Sequence, residues 1–210
     1  NFSGSGNINV DGQNIALFNT NSSGSFANNF NVTSTAGSSY VVGNVNNGTF
    51  YYNGTANLGA NGSLINGANS AVLLDTSSNI TGTGSNIVGA VLNGQYTGTA
   101  PAGFTSAVDG ENRGSIVLGD NSAGLYGTNG AKLLNKGTIN VGNASIGMSG
   151  KGTGSSLTND GNITLGAGSE GIYGNESTSI INAGNITGIS ASGTGLYAES
   201  TSAMSINNSG

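Results

Sequence analysis

From residue 112 onward the apolar side chains fall in short alternating runs rather than at helical spacing. One unit reads Asn112-Arg113-Gly114-Ser115-Ile116-Val117-Leu118, then Ser122-Ala123-Gly124-Leu125-Tyr126-Gly127, then Lys132-Leu133-Leu134. The next three units repeat this order, opening at Asn135, Asn159 and Asn182, and a fifth is read as opening at Asn207. The steps between these Asn positions are 23, 24, 23 and 25 residues. A period in the twenties marks a solenoid. Three short alternating runs per unit, separated by Gly-rich turns, predict an all-β fold. We read it as a single right-handed parallel β-helix, with about three short strands per coil of 23–25 residues.

Alternation assigns the faces, because successive side chains of a strand point to opposite sides. Ile116, Ile139, Ile163 and Ile186 are expected inside, followed on the same side by Leu118, Val141 and Leu165. Leu125, Met148, Ile172 and Leu196 fill the core from the second run, and Leu133, Leu157 and Ile180 from the third. Ser205 falls where an apolar residue belongs, so the last coil is expected to shift register and use Met204 or Ile206. Asn112, Asn135, Asn159, Asn182 and Asn207 are predicted to stack as an inward amide ladder at a bend. Gly at each corner is expected to supply positive φ.

The first half echoes this pattern loosely. Ile8–Val10, Phe30–Val32, Tyr40–Val42, Phe50–Tyr52, Ala71–Leu74 and Ile87–Leu92 read as strands. The chain divides into irregular coils over residues 1–95, a loop or insertion at 96–111 holding Pro101, and regular repeats over 112–210, all in one continuous solenoid. Roughly nine coils at about 4.8 Å each make a rod about 40 Å long. Asn1 is not a start methionine and the last repeat stops early, so the chain reads as a piece of a longer protein.

Composition supports this reading. There are 39 Gly and 1 Pro, and only 6% of residues are charged, so long amphipathic helices have few of the residues they need. Arg113, Lys132, Lys136 and Lys151 are the only basic residues, too few to track a phosphate backbone, and no nucleic-acid partner is expected. No apolar run approaches the roughly 18 residues of a membrane helix. Without Cys or His there is no Cys nucleophile, no Ser-His-Asp triad and no ordinary zinc site; no metal, cofactor or catalytic residue is assigned.

Three features are candidates for binding. Tyr126, Tyr173 and Tyr197 share one repeat position, interrupted by Ser149, and face outward if Leu125 and its equivalents face in. Exposed rings can stack on sugars or dock a protein, or simply rigidify the sheet. Asp109, Glu111 and Arg113 form the densest charged cluster, suited to a cation or a sugar, or to a polar loop rejoining the helix. The remaining acids sit mostly at turns, where Asp-Gly and Asn-Asp serve the backbone. Glu170 has Ala123, Ile146 and Thr194 at its repeat position, so no second carboxylate pairs with it as glycoside hydrolysis requires. The sequons at Asn31, Asn79 and Asn162 follow from an Asn-, Ser- and Thr-rich composition, and no Gly-Lys-Ser/Thr phosphate loop occurs.

The pattern Asn-x-Gly-x-Ile-x-Leu/Val-Gly, followed by Ser-x-Gly-Leu/Ile/Met-Tyr-Gly, resembles the repeats of passenger domains in large type V autotransporter adhesins of Gram-negative anaerobes. The resemblance covers residues 112–210 well and 1–95 loosely. It implies a surface-exposed adhesin segment, a β-helical stalk that presents or contributes a binding surface for host-cell or interbacterial adhesion. Its partner would be a receptor on a host or bacterial surface, protein or glycan. It also implies a cell-surface location, anchored through an outer-membrane β-barrel outside this chain. The alternative is a β-helical carbohydrate-active enzyme, a polysaccharide lyase or hydrolase.

Overall fold

A computed structural model describes residues 2–10, 16–20, 25–34, 39–188 and 192–210. The described residues hold only strands, turns and irregular chain, and all given pairings are parallel. Three faces wind about one core. The first carries Thr55–Asn57, Asn79–Gly82, Ser115–Leu118, Thr138–Val141, Asn162–Leu165 and Asn185–Gly188. The second carries Ala16–Thr20, Tyr40–Asn46, Gly62–Ala68, Val88–Asn93, Ala123–Thr128, Ile146–Lys151, Glu170–Asn175 and Thr194–Glu199. The third carries Thr49–Tyr52, Ala71–Leu74, Gly110–Asn112, Lys132–Asn135, Ser156–Asn159, Ser179–Asn182 and Ser205–Asn208. In the two earliest coils the third and first faces are one long strand each, Phe2–Val10 and Ser25–Ser34.

The second face has 8 strands, so the solenoid has about eight coils rather than nine. The difference is chain spent outside the coil between Val88–Asn93 and Gly110–Asn112. There Ile80 pairs with Ile116, a step of 36 residues, whereas Ile116 pairs with Ile139 after 23. The chain is back in register by Gly110, so Glu111 lies in a strand between Leu73 and Leu134.

The predicted core stacks as expected. Ile80, Ile116, Ile139, Ile163 and Ile186 lie in one register row, and Leu125, Met148, Ile172 and Leu196 in another. All but the end members Ile186 and Leu196 are buried. Each such aliphatic side chain contributes about 1.5–3 kcal/mol by leaving water, and no single coil could enclose it alone. In the last coil Ile206, not Met204, takes the row of Ile180.

The amide ladder forms at the corner between third and first faces. Asn112, Asn135 and Asn159 each donate from Nδ2 to Oδ1 of the next Asn at 2.8 Å, and all are fully buried. The fifth member is Asn208, not Asn207: Asn182 Nδ2 donates to Asn208 Oδ1 at 2.8 Å across a step of 26 residues. The turn from Glu199 to Ser205 is long enough to absorb the extra residue, and Asn207 pairs instead with Ile181.

At this corner the glycines are needed for a different reason than positive φ. Gly114, Gly137, Gly161, Gly184 and Gly210 all have ordinary φ. They are required because the coils approach so closely there: a Cβ on Gly161 would lie 2.2 Å from the Gly137 carbonyl oxygen, and one on Gly184 2.0 Å from that of Gly161. Positive φ falls at other turns, on Gly94, Gly130, Gly152, Gly154 and Gly168 as expected of turn glycines, and on Asn47, Asn61, Asn69, Asn86, Asn121 and Asn129. Asn tolerates this region better than other side chains.

Candidate functional site

The charged cluster is where the insertion is fastened to the solenoid. Glu111 belongs to the third face and points outward, yet is only 2% exposed. Arg113 grips its carboxylate with both Nε and Nη2 at 2.8 Å, and Lys136 Nζ reaches Oε1 at 3.1 Å. The insertion supplies the remaining partners. Thr105 N–H donates to Glu111 Oε2 at 3.3 Å, and Arg113 Nη2 donates to the Gly103 carbonyl at 2.7 Å. Burial alone pushes the Glu111 carboxyl up, but hydrogen bonds from Arg113, Thr105 and Lys136 overcome it and hold its pKa at about 2. Leu73 and Leu134, its neighbours in register, also point outward and are buried, so the segment folded over this face shelters an apolar strip.

Asp109 closes the base of the insertion. Its two oxygens accept from Tyr96 N–H and Lys132 N–H, each at 2.7 Å. Burial raises its pKa, opposed by those two bonds. The structure therefore brings Asp109, Glu111 and Arg113 into one region, and their polar groups are engaged with the protein itself. Among the described residues no group of three or more acidic, Cys or His side chains is placed to hold a metal ion.

Tyr126, Tyr173 and Tyr197 stand in one outward row of the second face, with Ser149 between the first two. Tyr173 and Tyr197 stack with centroids 5.5 Å apart and planes 13° from parallel. Because they sit on adjacent strands, one face of each ring is spent on the other. Tyr197 is exposed, and Tyr173 Oη donates to Glu199 at 3.1 Å and accepts from Asn175 at 2.8 Å. Tyr126 is separated from the pair by a coil. Glu170 lies between Ile146 and Thr194, with its pKa raised by burial and by the Glu199 charge.

Lower on the same face is a groove that the sequence did not reveal. It encloses about 440 Å³ over three coils. Two register rows form its floor, Val41, Ser63 and Val88 in one and Asn44, Asn66 and Val91 in the other. The preceding turn contributes Ser39, Asn61 and Asn86 as a wall, with Asn86 Nδ2 donating to Asn61 Oδ1 at 3.1 Å. The groove exists because these rows carry small side chains. The row of Asn66 and Val91 continues into Tyr126, where a large ring takes the place of a small group.

Residues 1–171 match the family model described as the BigA third pectate lyase-like domain. No curated protein and no solved structure matches the chain.

Proposed function

The chain belongs to the BigA third pectate lyase-like domain family, and from that premise we propose that it is a surface-exposed adhesin segment. In this reading it is a β-helical stalk that presents or contributes binding surface for host-cell or interbacterial adhesion. It is held at the cell surface by an outer-membrane barrel elsewhere in the protein, and its receptor is a protein or glycan on the opposing surface. The observation that carries the reading is the stack of about eight coils, in which core rows run from coil to coil and the corner ladder joins the coils from Asn112 onward. Such a rod transmits position along its length and exposes its outer rows to partners.

The enzyme alternative has less support. Lyase or hydrolase chemistry needs a free base or paired carboxylates. Here Arg113 and Lys136 are engaged with Glu111, Lys151 lies 3.5 Å from Glu176, and the Lys132 charge acts on Asp109. Glu170 has no carboxylate in its own row, and Glu199, whose charge reaches it, accepts from Tyr173 Oη. Removing the whole segment from the displayed protein should lower attachment to target cells while antibody labelling still detects the remainder at the surface. The purified chain should leave neutral and acidic polysaccharides uncleaved, with or without Ca²⁺. Undiminished attachment, or cleavage of any of them, overturns the proposal.

A further inference from the structure

We propose that the second-face groove is a binding site for an uncharged oligosaccharide lying along the solenoid axis. The inference rests on the adhesin reading only in expecting a surface glycan as the natural source of such a ligand.

The first argument is size and shape. At about 440 Å³ the groove falls in the range of small-molecule sites. It runs across strands rather than along one, so an elongated ligand lies over three coils, meeting equivalent positions at each step of about 4.8 Å.

The second argument is its chemistry. Among the described residues no carboxylate, ammonium or guanidinium lines it. A charged ligand would surrender hydration there without a countercharge, at a substantial cost. Tyr40, its one titratable residue, has its hydroxyl engaged, accepting from Gly59 N–H at 2.7 Å. The Asn66 carboxamide and the Ser63 hydroxyl, both on the floor, have no partner among the described residues. A carboxamide offers donors and an acceptor at once, which suits sugar hydroxyls that both donate and accept. Between these polar groups lie Val41, Val88 and Val91, which suit the C–H surface of a pyranose.

The third argument excludes an extended peptide. Peptides commonly bind solenoids and sheets by adding a strand to an open edge. Under this groove the strands Tyr40–Asn46, Gly62–Ala68 and Val88–Asn93 are internal to the sheet and paired on both sides. Only side chains are on offer, and they are amides, hydroxyls and short aliphatics.

The test is a binding screen of the purified chain against immobilised neutral, sialylated and sulfated glycans, repeated with Asn44→Ala/Asn66→Ala and with Val91→Tyr, which fills the groove. Asn66 is exposed, and Asn44 and Val91 are half-buried on the outer side of the face, so both variants should melt close to the parent chain. At least one neutral glycan should be retained by the parent, and each variant should weaken it at least about tenfold, roughly 1.4 kcal/mol. Retention of no neutral glycan, equal retention by the variants, or preference for acidic glycans overturns the proposal. If the groove assignment fails in this way while deleting the segment still lowers attachment, the adhesin reading stands without it.

Discussion

The corner between the third and first faces is built in two ways within one rod. From Asn112 upward it is filled by stacked carboxamides, with a glycine two residues later. Below it the same register row holds Leu74 and Tyr52, and Tyr52 donates its hydroxyl to the Phe30 carbonyl at 2.9 Å. The earliest coils use large rings, Phe18 stacking on Phe30 at 5.8 Å and Phe50 on Tyr52 at 6.1 Å, and residues 53–95 are without an aromatic side chain. From residue 112 on, the aromatic residues are Tyr126, Tyr173 and Tyr197, all in the outward row. A coil of this size can thus be closed by a repeating polar device or by individually fitted apolar side chains, aliphatic or aromatic. The repeating device has a weak end. Asn112 Oδ1 is buried without a partner, because Leu74 beneath it has no N–H to offer.

The two regimes meet at the insertion, and breaking that junction should have the largest effect. Glu111 has its pKa depressed from 4.5 to about 2, so the unfolded chain takes up its proton more readily than the folded one. Its contribution is complete above about pH 4.5 and is lost as pH falls toward 2, about 3 kcal/mol in all. Asp109, whose pKa is raised, offsets part of that loss as it is protonated. Limited proteolysis across residues 96–108 should therefore accelerate in acid more than melting of the regular coils does. Equal pH dependence of the two would dissociate the insertion from Glu111.

The polar regime is sharpened next by Asn159→Leu. This strands the amides of Asn135 and Asn182 and should cost roughly 1–3 kcal/mol in chemical or thermal unfolding, although the new side chain is more apolar. An unchanged midpoint would mean that the ladder adds nothing to the stack.

The smallest effect has the opposite sign. Ser78 occupies the corner position below Gly114, and its Oγ is buried without a partner. Ser78→Ala should raise stability by up to about 1 kcal/mol, visible as a small upward shift in the melting temperature. A loss would show that the irregular corner depends on that hydroxyl after all.

Much of the fold was legible because the upper coils repeat single residues at single positions. Ile116, Ile139 and Ile163 announce both the strand and its inward side. The ladder was misplaced by one residue at its end because spacing was followed over chemistry: Asn208-Ser209-Gly210 preserves the Asn-x-Gly pattern, whereas Asn207 does not. Positive φ was rightly expected of turn glycines such as Gly94, Gly130 and Gly152, but Gly114, Gly137, Gly161 and Gly184 are required by crowding, since a one-dimensional pattern does not distinguish a strained φ from a neighbouring coil that leaves no room for a Cβ. Asp109, Glu111 and Arg113 stood out as a cluster; that their partners are Gly103, Thr105 and Lys136 depends on how the insertion folds back. The groove was not legible. Asn44, Ser63, Asn66 and Val88 repeat no residue type, and what unites them is smallness on the outer side of a face whose register only the structure supplies.

Every rung of the amide ladder points the same way, Nδ2 toward the later coil and Oδ1 toward the earlier. The rod therefore has a direction written into it apart from its backbone, and this bears on how it assembles. A coil already in place holds out a correctly aimed donor, three strand edges and an apolar floor to the chain that follows. That chain has only to close a loop of one period, 23 or 24 residues, however many coils lie behind it. The entropy of closure then stays constant from coil to coil instead of growing with length. Folding of the regular region can advance by accretion, one period at a time, with the first formed coil as its template.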